Sequence, residues 1–226
     1  MKKTLVYLFL AMLLGTNCQR STEELRIVQF ENHLGKEKST VLSKKVIDFE
    51  VFLTNNFSDN SVAEAYKKYL EVIATSEYKN TNWNYAGTNR KETNSQFESS
   101  GLREEIFLKP DSVWGDNESL KTKYCYNQEG VLKEFITESL VIGIDISQNT
   151  DSIIEAKYEE RKFNPYGKYL IGLKMIENPN AFLTKYIQMK EAVGDISKNI
   201  LADELLKSNP DFSDYLIKRI VAVEFY

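Results

Sequence analysis

Residues 40–73 read TVLSKKVIDFEVFLTNNFSDNSVAEAYKKYLEVI, and this stretch decides the fold class. In its first half Leu42, Val46, Phe49 and Leu53 fall at steps of four, three and four, which is one face of a helix, and Val41 and Phe52 widen that face. The spacing predicts a helix from about Thr40 to Asn55. Asn55, Asn56, Ser58, Asp59 and Asn60 then supply turn-forming side chains, and Ser61-Val62-Ala63-Glu64 has the spacing of a capping box. Behind that box Val62, Tyr66, Tyr69, Leu70 and Ile73 line the face of a second helix. Two helices joined by a short polar turn read as an antiparallel pair.

Helical spacing recurs outward from this pair. Leu102, Ile106 and Phe107 suggest a short helix ending before Pro110. Val131, Leu132, Phe135, Ile136 and Leu140 repeat the pattern, as do Tyr169, Leu170, Leu173 and Ile176. Asn180 is placed to cap a helix through Phe182, Leu183, Tyr186, Ile187 and Val193, stopped by Gly194, and Ile200, Leu201, Leu205 and Leu206 form another before Asn209-Pro210. Ser21 with Glu24 fits a capping box, yet Leu25 to Phe30 suits a strand equally well. Val141 to Ile146 and Ile220 to Phe225 fit short strands or extended tails. The expectation is a mostly α domain of antiparallel helices with a few short strands, with α+β as the alternative.

Residues 79–100 change character, being rich in Asn, Thr and Ser, and read as a long polar loop. Trp83 and Tyr85 inside it are the candidate ligand or partner contacts. The competing reading is that they tuck back and anchor the loop, as large aromatics usually do. Trp83-Asn84-x-x-Gly87, Tyr126-Asn127-x-x-Gly130 and Phe163-Asn164-x-x-Gly167 share an aromatic-Asn-x-x-Gly pattern. It fits either a helical repeat or a recurring turn in which Asn caps and Gly takes a left-handed backbone or permits close packing.

Composition excludes much. The 226 residues are 42% hydrophobic and 12% aromatic, too rich in large side chains for disorder and enough for one core. Two cysteines exclude a disulfide scaffold or a thiolate-held cluster, and a single histidine, His33, removes most triads and His-rich metal sites. His33 lies in a surface-like context beside Leu34 and Gly35, and Cys125, between Tyr124 and Tyr126, reads as a small buried hydrophobe. Asp111 to Glu118 lacks the alternating oxygen ligands of a calcium loop. The basic doublets Lys44-Lys45, Lys67-Lys68, Arg90-Lys91 and Lys218-Arg219 are scattered, as on a solvated face. With a formal charge of −4, nucleic acid is not an expected partner. No catalytic group, metal site or cofactor motif announces itself. Carboxylate chemistry is the one enzymatic class left open, because acidic residues are plentiful.

The amino terminus is the most specific signal. Met1, Lys2 and Lys3 precede an apolar run from Leu5 to Leu14, about half the roughly 20 residues needed to cross a bilayer, followed by Gly15-Thr16-Asn17-Cys18. Residues 1–18 resemble the signal of bacterial lipoproteins, in which the Cys becomes the first mature residue and carries acyl chains. The resemblance implies a signal peptide over 1–17, lipidation at Cys18, a tether over 18–22 and a single mostly helical domain over 23–226. Gln19, in place of Asp, resembles lipoproteins passed to the outer membrane. Removing 17 residues leaves 209 and, with Lys2 and Lys3 gone, moves the charge from −4 to −6. The expected product is an envelope lipoprotein of non-enzymatic binding or accessory role. Its expected partners are the membrane, through Cys18, and another envelope protein or polymer. The alternatives are a carboxylate-dependent exported hydrolase and, for location, a soluble periplasmic or secreted protein.

Overall fold

The computed structural model describes residues 22–115, 119–128, 130–140 and 146–226, so Cys18 and the leader lie outside the described residues, as do Ser21 and residues 141–145. The helical pair is present. α1 (Thr22–Leu34) leads through Gly35, whose φ of 95° only glycine adopts freely, into α2 (Lys36–Asn56). α2 thus begins four residues before the Thr40 start that the apolar spacing predicts. Ser61 accepts from the Glu64 backbone N–H and the Glu64 carboxylate accepts from the Ser61 N–H, opening α3 (Val62–Ala74) with the expected box. The ambiguous segment after Ser21 is helical, with Phe30 and Leu34 fully buried.

Three segments differ from the sequence reading. The polar loop is shorter, because α4 (Arg90–Ser99) occupies its second half. Only Thr93 and Phe97, one turn apart, are buried on α4, too thin an apolar stripe to show as a period. After α5 (Leu102–Ile106) and β1 (Phe107–Leu108), the chain forms an antiparallel meander of β2 (Pro110–Gly115), β3 (Ser119–Gln128) and β4 (Val131–Leu140). The helix expected from Val131 to Leu140 is therefore a strand. Its pairing is set by a tight hairpin that matches Gln128 to Val131, with Gly130 at φ 83° and its N–H held by the Asn127 carboxamide. β3 buries Leu120, Thr122 and Tyr124 in strict alternation. α6 (Ile146–Tyr158) packs on β2, and the Tyr158 hydroxyl accepts from the Val113 N–H.

The chain returns to the helical body through β5 (Lys162–Phe163), antiparallel to β1 with Phe107 opposite Phe163. α7 (Lys168–Lys174), α8 (Ala181–Ala192), capped by Asn180 as expected, and α9 (Lys198–Leu206) follow. The third difference is the last segment, which is the helix α10 (Tyr215–Phe225) and not a strand. The Asp214 carboxylate accepts from the N–H groups of Leu216 and Ile217 at its start. Leu216, Ile217, Ile220, Val221, Ala222, Val223 and Phe225 are all buried, so α10 has no polar face and no visible period. The fold is mostly α with short strands, helix accounting for 59% of it.

Aromatic rings fill the centre. Phe49 lies 5.3 Å from Tyr66, 5.1 Å from Tyr69 and 5.0 Å from Tyr226, and the Tyr69 hydroxyl donates to the Phe225 carbonyl at 2.9 Å. The basic doublets are not uniformly solvated, since Lys45 and Arg219 are each 4% exposed. The Arg219 guanidinium stacks on the Tyr215 ring and donates to the Ser43 hydroxyl. Burial pulls Arg219 below its usual pKa, and Tyr215 and Glu31 oppose that shift.

Candidate binding cleft

Trp83 and Tyr85 sit on the body, not away from it. Trp83 is half-buried between Phe52 at 5.4 Å, Tyr69 at 5.5 Å and Phe57 at 6.2 Å. Tyr85 lies 5.0 Å from Phe52, with the Arg90 guanidinium 4.8 Å above its ring. The loop is also pinned by its backbone. The Asn56 carboxamide donates to the Asn84 carbonyl at 3.0 Å and accepts from the Asn84 N–H at 2.9 Å, and Asn55 donates to the Ala86 carbonyl. Trp83 thus serves as a loop anchor, while Tyr85 keeps 39% of its surface open.

A larger concavity lies elsewhere, between the meander and the helical body. It encloses about 890 Å³, inside the size range of small-molecule and peptide sites. α1 contributes His33, α5 contributes Glu104 and Glu105, β3 contributes Cys125 and Tyr126, and the turn after β5 contributes Asn164, Tyr166 and Gly167. Tyr126 and Tyr166 stack across it with centroids 4.2 Å apart and planes 11° from parallel, joining the sheet to the body. Desolvation, then the hydrogen bond with Tyr166, raises the Tyr126 phenol above its usual range.

One wall is rigid for a local reason. Asn164 is buried, its carboxamide donating to the Glu104 carbonyl at 2.7 Å and accepting from the Tyr166 N–H at 3.1 Å. Its turn brings Gly167 against α5 so closely that a Cβ there would lie 2.0 Å from the Glu105 carbonyl oxygen. The three aromatic-Asn-x-x-Gly segments are therefore turns of different form. Asn84, Asn127 and Asn164 each cap a nearby N–H, but Gly87 and Gly130 have positive φ with open space beyond, whereas Gly167 is extended and crowded.

The two reactive side chains read as bland from sequence both reach this cleft. His33 is half-buried rather than on an open surface, packed at 3.2 Å from the position a Gly172 Cβ would take, and its Nε2 has no hydrogen-bond partner among the described residues. Cys125 is half-exposed rather than buried. Among the cleft carboxylates, Glu105 pairs with Lys38 and accepts from the Lys168 N–H, and Asp111 lies 4.0 Å from Lys123. Glu104 is exposed. Beside the cleft, β4 leaves Val131, Leu132 and Ile136 more than half exposed, Leu132 at 72%. No group of three metal-ligating side chains occurs among the described residues, and no described helix is long and apolar enough to cross a membrane. Sequence reasoning missed this cleft because its residues come from six elements, two of them strands that carried no helical period. Compared with protein-family models, with curated proteins and with solved structures, the chain finds no match.

Proposed function

We propose that the protein is an exported, acyl-anchored component of the bacterial cell envelope that binds another envelope protein or polymer rather than transforming it. Residues 1–18 support the export and the anchor at Cys18, and Gln19 favours the outer membrane. The binding role rests chiefly on the cleft, with its stacked Tyr126 and Tyr166 pair, and on the exposed apolar residues of β4 beside it. A carboxylate hydrolase finds less support. Its acid and base must face a substrate free of other duties, whereas Glu105 is held by Lys38 and the Lys168 N–H.

Detergent phase partition with intact-mass measurement, on the natural chain and on Cys18→Ala, tests the anchor. The natural chain is expected in the detergent phase with acyl mass on Cys18, and the variant in the aqueous phase. If both stay aqueous with a cut near residue 17, the anchored reading fails and a soluble secreted protein takes its place.

A further inference from the structure

A second pocket, which meets the cleft only at Phe107, is built from charge. It encloses about 480 Å³, the volume of roughly 16 waters at ~30 Å³ each. Five cationic side chains line it, from Lys45, Arg103, Arg161, Lys190 and Lys198, against three acidic ones, from Glu98, Asp195 and Glu224. A surplus of two positive charges thus gathers in one concavity of an acidic protein. The acids are already engaged. Glu224 pairs with buried Lys190 at 2.9 Å and accepts from the Tyr186 hydroxyl, Glu98 pairs with Arg103, and Asp195 accepts from the Phe163 N–H at 2.8 Å.

Lys45 is left over. Its side chain is 96% buried, yet among the described residues its ammonium makes no hydrogen bond and no ion pair. It lies only over two ring faces, 5.3 Å from the Phe97 centroid and 5.1 Å from that of Tyr226. Neighbouring cations crowd it. Burial first, then Arg90, brings its pKa down to about 8, while Asp48 acts the other way. Asp48 itself is occupied by the Tyr226 hydroxyl at 3.0 Å and the Asn89 N–H. Only the tip of so buried a side chain reaches the pocket, and an ammonium there with no protein acceptor for its three donors is costly unless water or an anion in the pocket completes it. Arg103 and Arg161 each also leave an Nε–H without an acceptor. Lys198 stands at the rim, with Nζ 3.4 Å from the Phe225 carbonyl oxygen.

We propose that this pocket binds a phosphate group, with the Lys45 ammonium as its innermost contact and Lys198, Arg103 and Arg161 around it. A phosphate carries about −1.5 to −2 charges near neutral pH and three strong acceptor oxygens, which match the surplus charge and the unfilled donors. The volume leaves room beyond the phosphate for a small organic body, so the ligand class is a phosphomonoester or the phosphate of a lipid headgroup. The inference stands apart from the cleft and from the anchor.

The test is equilibrium dialysis of radiolabelled inorganic phosphate against the full chain carrying Cys18→Ala, at fixed ionic strength. Saturable binding to one site is expected. Adding Lys45→Met, which keeps an unbranched apolar stem and removes the ammonium, should weaken it at least tenfold, and Lys198→Gln at the exposed rim should weaken it severalfold. No saturation by roughly 10 mM phosphate, or undiminished binding in Lys45→Met, would overturn the proposal. Vesicles containing phosphatidic acid, whose headgroup is itself a phosphomonoester, separate the two sources. If they compete with free phosphate while phosphatidylcholine vesicles do not, the ligand is a headgroup, and if neither competes it is a soluble monoester.

Discussion

Replacing Lys45 by Met should make the ligand-free protein more stable, by an amount that depends on pH. The Lys45 ammonium is brought from an ordinary 10.5 down to about 8 in the folded chain, chiefly by burial. At 1.36 kcal/mol for each pKa unit, the charged lysine costs the native state about 3 kcal/mol below pH 8. Because the folded pKa is the lower one, the unfolded chain holds more protons between pH 8 and 10.5, and native stability rises with pH across that window. Above pH 10.5 the lysine is neutral in both states and its cost is gone. Met replaces the charged tip with a slightly shorter apolar chain that is compatible with the Phe97 and Tyr226 faces. Urea denaturation of both proteins at pH 7 should show the variant about 3 kcal/mol more stable, and thermal melting should show a midpoint rise on the order of 6–12 °C for a chain of this size. At pH 10.5 the advantage should shrink toward zero. Other groups, including the raised tyrosines, titrate alike in both proteins and cancel in the difference. A variant less stable at pH 7, or an advantage unchanged between the two pH values, would refute the account of Lys45 as an uncompensated buried charge.

The glycine of the third Asn turn offers a second check. Gly167→Ala drives a methyl into the Glu105 carbonyl and should cost roughly 3 kcal/mol by thermal or chemical denaturation, whereas Gly87→Ala pays only left-handed backbone strain of about 1 kcal/mol. Equal losses would mean that the approach of α5 to the cleft turn is not rigid. Trp83→Ala should cost about 2 kcal/mol through lost contact with Phe52, Phe57 and Tyr69, and amide exchange should rise across residues 80–89, whereas a loose loop would show neither effect.

How much was legible in the sequence depended on whether a segment had two unlike faces. α2, α3, α8 and α9 each show an apolar stripe, and α3 and α8 add side-chain caps, so local signals and tertiary packing agree. α10 is buried on all sides and α4 on almost none, and a period cannot be seen where every position, or hardly any, is apolar. β4 carried a helical spacing by accident. Val131, Leu132 and Ile136 are exposed, and pairing with β3 through the Gly130 turn, not burial of a stripe, fixes the strand. The candidate sites follow the same logic. Trp83 and Tyr85 could be singled out because they interrupt a polar stretch, but their side-chain partners on α2 and α3 are remote in sequence. Lys45 gave no signal, since a lysine beside another lysine reads as surface until α4 and the chain end close over it.

The burial of α10 fixes an order of events. This helix follows every other described element, yet it supplies the middle of the core, contacting α2 directly and meeting α3 through the Tyr69 hydroxyl. A nascent chain can form α1 to α3 early and pack Phe49 and Phe52 on Tyr66, Tyr69 and Trp83, but the faces that meet Leu216 to Phe225 stay uncovered until residues 215–225 arrive. Until residues 215–225 are available the middle of the core is missing, so the complete native body condenses only once this helix joins the earlier ones.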